Sequence, residues 1–131
     1  MNVMIVGAGG GIGRALLELY ARRRGIQRIY ATHHRPVSSC ASTVHWIQVD
    51  LGDPDSVAAL AQQVDQPINR WICCSGILAG AHGQPEKTLR QLAAAKLQHD
   101  YQVNAVGPLS AFSVLAPRLR DTDMRAAFLS A

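Results

Sequence analysis

A chain of 131 residues with 48% hydrophobic and 17% charged side chains excludes a disordered polymer and predicts one domain over residues 1–131, with a single buried core. No apolar run approaches the roughly 20 residues of a membrane span, so no membrane partner is expected. The net charge of +4 is modest; its densest cluster, Arg22, Arg23 and Arg24, ends a predicted helix, where cations offset the dipole, and without interleaved aromatics it predicts no nucleic-acid partner.

Strand-like and helix-like segments alternate from the start. Residues 2–6 are a short β-branched run that ends in glycines, with no basic region or cleavage site of a secretory leader; a cytoplasmic address follows as the default. Ile12, Ala15, Leu16, Leu19 and Tyr20 repeat at helical spacing, and Gly25 closes that helix. Residues 28–32 and 44–50 read as the second and third strands. Asp53 and Pro54 start a helix as N-cap and first helical residue, with Val57, Leu60, Ala61 and Val64 as its apolar stripe.

Residues 71–75 predict a fourth strand, 86–119 a long helical stretch, and 126–130 a fifth strand. Such alternation implies a parallel sheet covered on both faces, the Rossmann-type doubly wound α/β class. The chain stops with its fifth strand, and no following helix covers it. A truncated chain is therefore expected. Cys40, Cys73 and Cys74 give neither a disulfide framework nor metal-ligand spacing, and no metal site is expected. Adjacent Cys73 and Cys74 must face opposite sides of a strand.

The most informative stretch is Gly7-Ala8-Gly9-Gly10-Gly11-Ile12-Gly13, between the first strand and the first helix. A phosphate needs backbone N–H groups aimed at it and no side chain in the way; glycine permits both, and the helix adds its positive end. Gly7, Gly9, Gly10, Gly11, Ile12 and Gly13 are thus candidate dinucleotide-binding residues. The absence of Gly-Lys-Ser/Thr excludes a P-loop. A methyltransferase using S-adenosylmethionine remains a rival for the Gly9-x-Gly11-x-Gly13 spacing.

The motif Gly7-x-x-x-Gly11-Ile12-Gly13 resembles the Gly-x-x-x-Gly-Ile-Gly signature of the short-chain dehydrogenases/reductases, with Val6 where the family usually has a Thr whose hydroxyl steadies the turn. Val49-Asp50-Leu51 resembles the third-strand ending, which implies that Asp50 contacts the adenine amino group with Leu51 beside it. Cys73-Cys74-Ser75-Gly76 stands where Asn-Asn-Ala-Gly is common, placing Ser75 and Gly76 at the cofactor. Val103-Asn104-Ala105-Val106-Gly107-Pro108-Leu109 resembles the central helix, with Asn104 at the position of the catalytic Asn. These four landmarks run in family order along the whole chain. The ending and the altered fourth-strand motif suggest the bacterial C-factor-like subgroup.

Cofactor choice is legible at the end of the second strand. NAD enzymes usually hold the ribose hydroxyls there with an acid, yet residues 28–40 contain no Asp or Glu. Thr32, His33, His34 and Arg35 stand there instead. Arg35 can pair with a 2′-phosphate, with Thr32 and His34 as helpers, so NADP is favoured over NAD.

Pro108 lies four residues after Asn104. It lacks the N–H that would bond the Asn104 carbonyl, so a bend is expected there. The family resemblance implies that this carbonyl holds a water in a proton relay. The family's Tyr-x-x-x-Lys pair is absent from these residues, since Tyr20, Tyr30 and Tyr101 have no Lys at that spacing. Tyr101 is expected in core or interface packing. Ser130 is the candidate catalytic Ser by position, with Ala131 or a residue beyond as the alternative. The resemblance implies an oxidoreductase that moves hydride between a nicotinamide and a small carbonyl or alcohol substrate, with a homo-oligomer formed through the central helix. A non-catalytic NADP-binding or sensing module is the alternative.

Overall fold

All five residues of β1, Asn2–Val6, are buried, as a strand covered on both faces requires. The computed structural model describes residues 1–35, 42–79, 83–119 and 123–129. The further strands are β2 (Arg28–His33), β3 (Val44–Gln48), β4 (Arg70–Cys73) and β5 (Arg125–Phe128). Among the described residues they form one parallel sheet in the order β3-β2-β1-β4-β5. The chain thus steps outward from β1 to β3, then returns to the other side of β1 for β4. This reversal opens a crevice at the carboxyl ends of β1 and β4, where open α/β sheets bind ligands.

Strand alternation divides the core in two. Val3, Ile5, Ile29 and Ala31 pack against Leu17 of α1 (Gly11–Arg22). Met4, Val6, Tyr30 and Ile47 face the opposite layer, built from α2 (Pro54–Ala58), α3 (Leu60–Gln63) and α5 (Gly107–Val114). Each fully buried Leu, Ile or Val there contributes about 1.5–3 kcal/mol. Cys73 belongs to one cluster and Cys74 to the other, as their opposite orientation demands; Cys40 lies outside the described residues. Tyr30 brings a polar tip into its layer, where its hydroxyl donates to Asp65 and accepts from the Gln66 N–H at 3.1 Å. Burial pushes that phenol's pKa up, while the donated bond holds the Asp65 carboxyl down.

Several expectations change. The α1 stripe is rotated: Ile12 and Leu19 are 60% and 64% exposed, and Leu17 carries the burial with Leu16 and Tyr20 beside it. Asp53 caps α2 through its carboxylate and the Asp55 N–H at 3.0 Å, but the helix gives way to α3 at Ala59, and Ala61 faces solvent. The stretch 86–119 is not one helix. Gln91 Oε1 accepts from the N–H groups of Lys87 and Thr88, closing a 3-10 turn at Leu89–Gln91 before α4 (Ala94–Tyr101) begins. A π turn, Gln102–Val106, joins α4 to α5, and the Gly107 N–H bonds back to the Gln102 carbonyl. The irregularity expected from Pro108 therefore takes the form of one widened turn just before it. Tyr101 is 67% exposed, which removes it from the core. The fifth strand ends at Phe128, and Ser130 lies outside the described residues.

Lys96 ties the stretch before α4 to the helix. Its ammonium, almost wholly buried, donates to Asp100 at 2.5 Å and to Glu86 at 3.3 Å. The bond to Asp100, then that to Glu86, hold its pKa above the ordinary lysine value against the opposing effect of burial.

Candidate functional site

A cleft of about 890 Å³ opens at the carboxyl edge of the sheet. Gly7 begins its floor. Its φ of +83° places it in the region that only glycine enters freely, and a Cβ there would lie 2.8 Å from the Ser75 nitrogen. The ends of β1 and β4 thus meet backbone to backbone. Gly13 has a different reason: a Cβ on it would fall 2.2 Å from the Gly7 carbonyl oxygen, so α1 starts in direct contact with the turn. Around Gly11 nothing lies within 4 Å of a built Cβ, which leaves an open cradle at the first residue of the helix.

Beneath the turn, buried Thr32 accepts the Gly7 N–H on its hydroxyl at 2.9 Å, and the Ala8 N–H bonds the Thr32 carbonyl at 2.8 Å. The hydroxyl missing at Val6 is thus supplied from β2. This places Thr32 as a support of the glycine turn.

The next residues turn out from β2. His34 and Arg35 are exposed on the cleft wall, and His34 Nδ1 stands 4.0 Å from Asp50 Oδ1. Asp50 Oδ1 also accepts the Gly52 N–H at 2.8 Å, and the Asp50 N–H donates to Ser56 at 2.9 Å. Its carboxylate is therefore fixed at the end of β3. Across the cleft, Ser75 Oγ lies 3.2 Å from Cys73 Sγ, while burial raises the Cys74 thiol pKa.

Of the residues expected at a cofactor, Gly7, Gly9, Gly10, Thr32, His34, Arg35, Asp50, Leu51, Ser75 and Gly76 line this one cleft. Gly11, Ile12 and Gly13 continue into α1 and are not among its lining residues. Asn104 is likewise set back: its amide bonds the Ile77 backbone, accepting from N–H at 2.7 Å and donating to C=O at 2.8 Å. It fixes the loop that does line the cleft. Sequence reasoning passed over Cys74, Ile77, His99 and Val103, which also line it. His99 and Val103 stand four apart at helical spacing, the one signal that places them on a shared face.

The residues fit a dinucleotide. Open backbone lies at the helix start, an acid sits at the end of β3, and the exit of β2 carries Arg35 with no carboxylate on residues 28–35. Among the described residues no group of three or more His, Cys, Asp or Glu is placed to hold a metal ion, and no helix is long and apolar enough to cross a membrane.

Residues 3–98 match the NAD dependent epimerase/dehydratase family. No curated protein matches the chain by sequence. A carbonyl reductase from Pseudomonas aeruginosa PAO1 is 25% identical, with a TM-score of 0.81 over 99% of this chain and 61% of that one. A short chain dehydrogenase family protein from Francisella tularensis subsp. tularensis SCHU S4 is 15% identical, with a TM-score of 0.83, 97% of this chain covered and 49% of that one. A short chain dehydrogenase from Burkholderia cenocepacia J2315, solved in complex with NADP, is 21% identical with a TM-score of 0.77, covering 97% and 52%. The latter two share the fold. The chain spans about half the length of these structures.

Proposed function

The chain belongs to the NAD dependent epimerase/dehydratase family, and from that premise we propose that its cleft binds NADP(H) in a short-chain dehydrogenase/reductase that interconverts a small carbonyl compound and its alcohol. Residues 1–131 are then the dinucleotide-binding domain of this enzyme, in the cytoplasm. The observation that carries the reading is the placing of the glycine turn, Arg35 and Asp50 around one cleft at the β1–β4 switch point.

Backbone N–H groups of Gly9, Gly11 and Ile12 would hold the paired phosphates at the start of α1, while the Gly10 N–H closes the turn on the Gly7 carbonyl at 3.2 Å. Gly7 and Gly13 shape that turn, and Thr32 holds it from below. Asp50 and Leu51 would take the adenine, Arg35 with His34 the 2′-phosphate, and Ser75 and Gly76 the sugar-phosphate chain. The nicotinamide supplies the hydride chemistry when bound; the protein supplies orientation and electrostatics. Asn104 keeps Ile77 in place with its side chain, and Pro108 denies its carbonyl the usual i+4 donor. That carbonyl would then be available to a proton-relay water, with Ser130 as the candidate catalytic Ser. Leu97, Tyr101 and Leu109, exposed along α4 and α5, offer the apolar face through which copies of the protein would pair.

The test is binding of NADPH and NADH, with turnover assayed against a panel of carbonyl compounds. Arg35→Ala should weaken NADPH about ten-fold or more, the effect of losing a charge-assisted contact, while NADH changes less than about two-fold. A protein that binds neither nucleotide refutes the reading. NADPH binding without turnover marks a sensing module in place of an enzyme.

A further inference from the structure

Resting on the NADP(H) reading of the cleft, we propose that His33 is the positioning residue that sets preference for a 2′-phosphorylated cofactor, by clasping the backbone of Arg35. Beyond Thr32, three successive carbonyls need donors as β2 leaves the sheet. The His33 carbonyl takes the Val49 N–H at 2.9 Å. The His34 carbonyl has the Gln48 side-chain amide at 3.5 Å, a weak contact. The Arg35 carbonyl is held by the ring of His33 itself, Nδ1 to O at 2.7 Å. A carbonyl only accepts, so the proton of His33 sits on Nδ1. The ring stands edge-on to Trp46 of β3, with centroids 5.6 Å apart and planes at 73°. His33 thus substitutes for the neighbouring strand at the point where pairing stops.

The clasp matters because Arg35 is exposed on the cleft wall, and among the described residues no other contact than this one fixes the backbone from which its long side chain launches. Arg35 precedes Pro36 in sequence, which favours extended backbone at position 35 without orienting it against the sheet. A contact made from preordered backbone loses less on binding than one that must order its own support. That gain reaches only a ligand that Arg35 touches. NADPH carries the 2′-phosphate and NADH does not.

Dissociation constants for both nucleotides are measured on the parent protein, His33→Ala, His33→Asn, Arg35→Ala and the His33→Ala/Arg35→Ala pair, with melting temperatures recorded for each. Asn is chosen because its Nδ2 lies as many bonds from the backbone as histidine Nδ1. Expected is a loss of NADPH affinity of about three- to ten-fold in His33→Ala, with NADH within about two-fold, and recovery to near the parent in His33→Asn. In the Arg35→Ala background, removing His33 should cost nothing more for NADPH. Equal losses for both nucleotides, an unchanged ratio, or a loss that persists without Arg35 each overturn the assignment. Should His33→Ala not fold, His33→Asn decides: NADPH binding weakened with its donor retained overturns the assignment, and parent-like NADPH preference supports it. Failure of the parent to bind either nucleotide would instead remove the cofactor reading, a separate result.

Discussion

Asn104 grips the backbone of Ile77, 27 residues earlier, through both ends of its amide: the N–H of Ile77 reaches Oδ1 at 2.7 Å and its carbonyl receives Nδ2 at 2.8 Å. Only Asn and Gln carry a donor and an acceptor on one such planar group. Asn104→Asp keeps the acceptor but sets a carboxylate against the Ile77 carbonyl, and Asn104→Ala loses both bonds. The site is exposed, so water replaces much of what is lost, and folding stability should fall by only about 0.5–1.5 kcal/mol. Nucleotide affinity should fall further, about ten-fold for NADPH and NADH alike, because Ile77 lines the cleft. Urea unfolding and direct binding separate the two effects. An Asp variant that binds like the parent contradicts this account.

Gly11 and Gly13, two residues apart in the first turn of α1, obey different constraints, and alanine substitution distinguishes them. A methyl on Gly13 meets the Gly7 carbonyl oxygen at 2.2 Å, whereas on Gly11 it meets nothing within 4 Å. Gly13→Ala should cost about 1–3 kcal/mol or more, since backbone must move to admit it. Gly11→Ala should leave stability unchanged or raise it by up to about 1 kcal/mol, because alanine is the better helix former. Its effect should appear in NADPH affinity, where a methyl would occupy the phosphate cradle. Thermal unfolding with and without NADPH resolves the pair; a Gly11→Ala protein that binds NADPH normally would move the phosphates off this turn.

What the sequence revealed and what it hid divide along the same line. The strands of the sheet centre were legible because local composition decides them: β1 has no exposed residue to mark a face, and Asp53 with Pro54 announces a helix start chemically. The glycine turn was legible for the same reason. Hidden were features that depend on partners brought together by folding. Thr32 lines the cleft, but that its hydroxyl also supports Gly7 from a neighbouring strand was invisible. Helical periodicity through residues 86–119 could not reveal that Gln91 closes a turn on Lys87 and Thr88. Gly107, passed over as one letter of a motif, sits where a Cβ would lie 2.3 Å from the Leu51 carbonyl oxygen, binding α5 to the end of β3.

The Thr32 hydroxyl is the natural place to test that point. It is the acceptor for a backbone N–H beneath the turn, and Thr32 is only 3% exposed. Thr32→Val preserves shape and volume but leaves the Gly7 N–H without its acceptor, which should cost about 1–3 kcal/mol. Thr32→Ser restores the oxygen and should recover most of that loss. Were Thr32 chiefly a ligand contact, Val would instead lower NADPH affinity without lowering the unfolding midpoint in urea.

Lys96 makes stability depend on alkaline pH in a direction its environment dictates. The carboxylates of Asp100 and Glu86 raise its folded pKa above the ordinary value of 10.5. A cation favoured by folding stabilises fully below its unfolded pKa, and the contribution disappears as pH rises through the folded value. The trio's effect is therefore complete at neutral pH and lost only in the strongly alkaline range. Lys96→Met removes the cation but leaves the two carboxylates facing each other across the gap, so the variant should be less stable than the parent at neutral pH. The gap between their melting temperatures should then narrow as the parent's lysine loses its proton. A gap that stays constant across the alkaline range would mean that the methylene stem of Lys96, rather than its charge, ties residue 86 to α4.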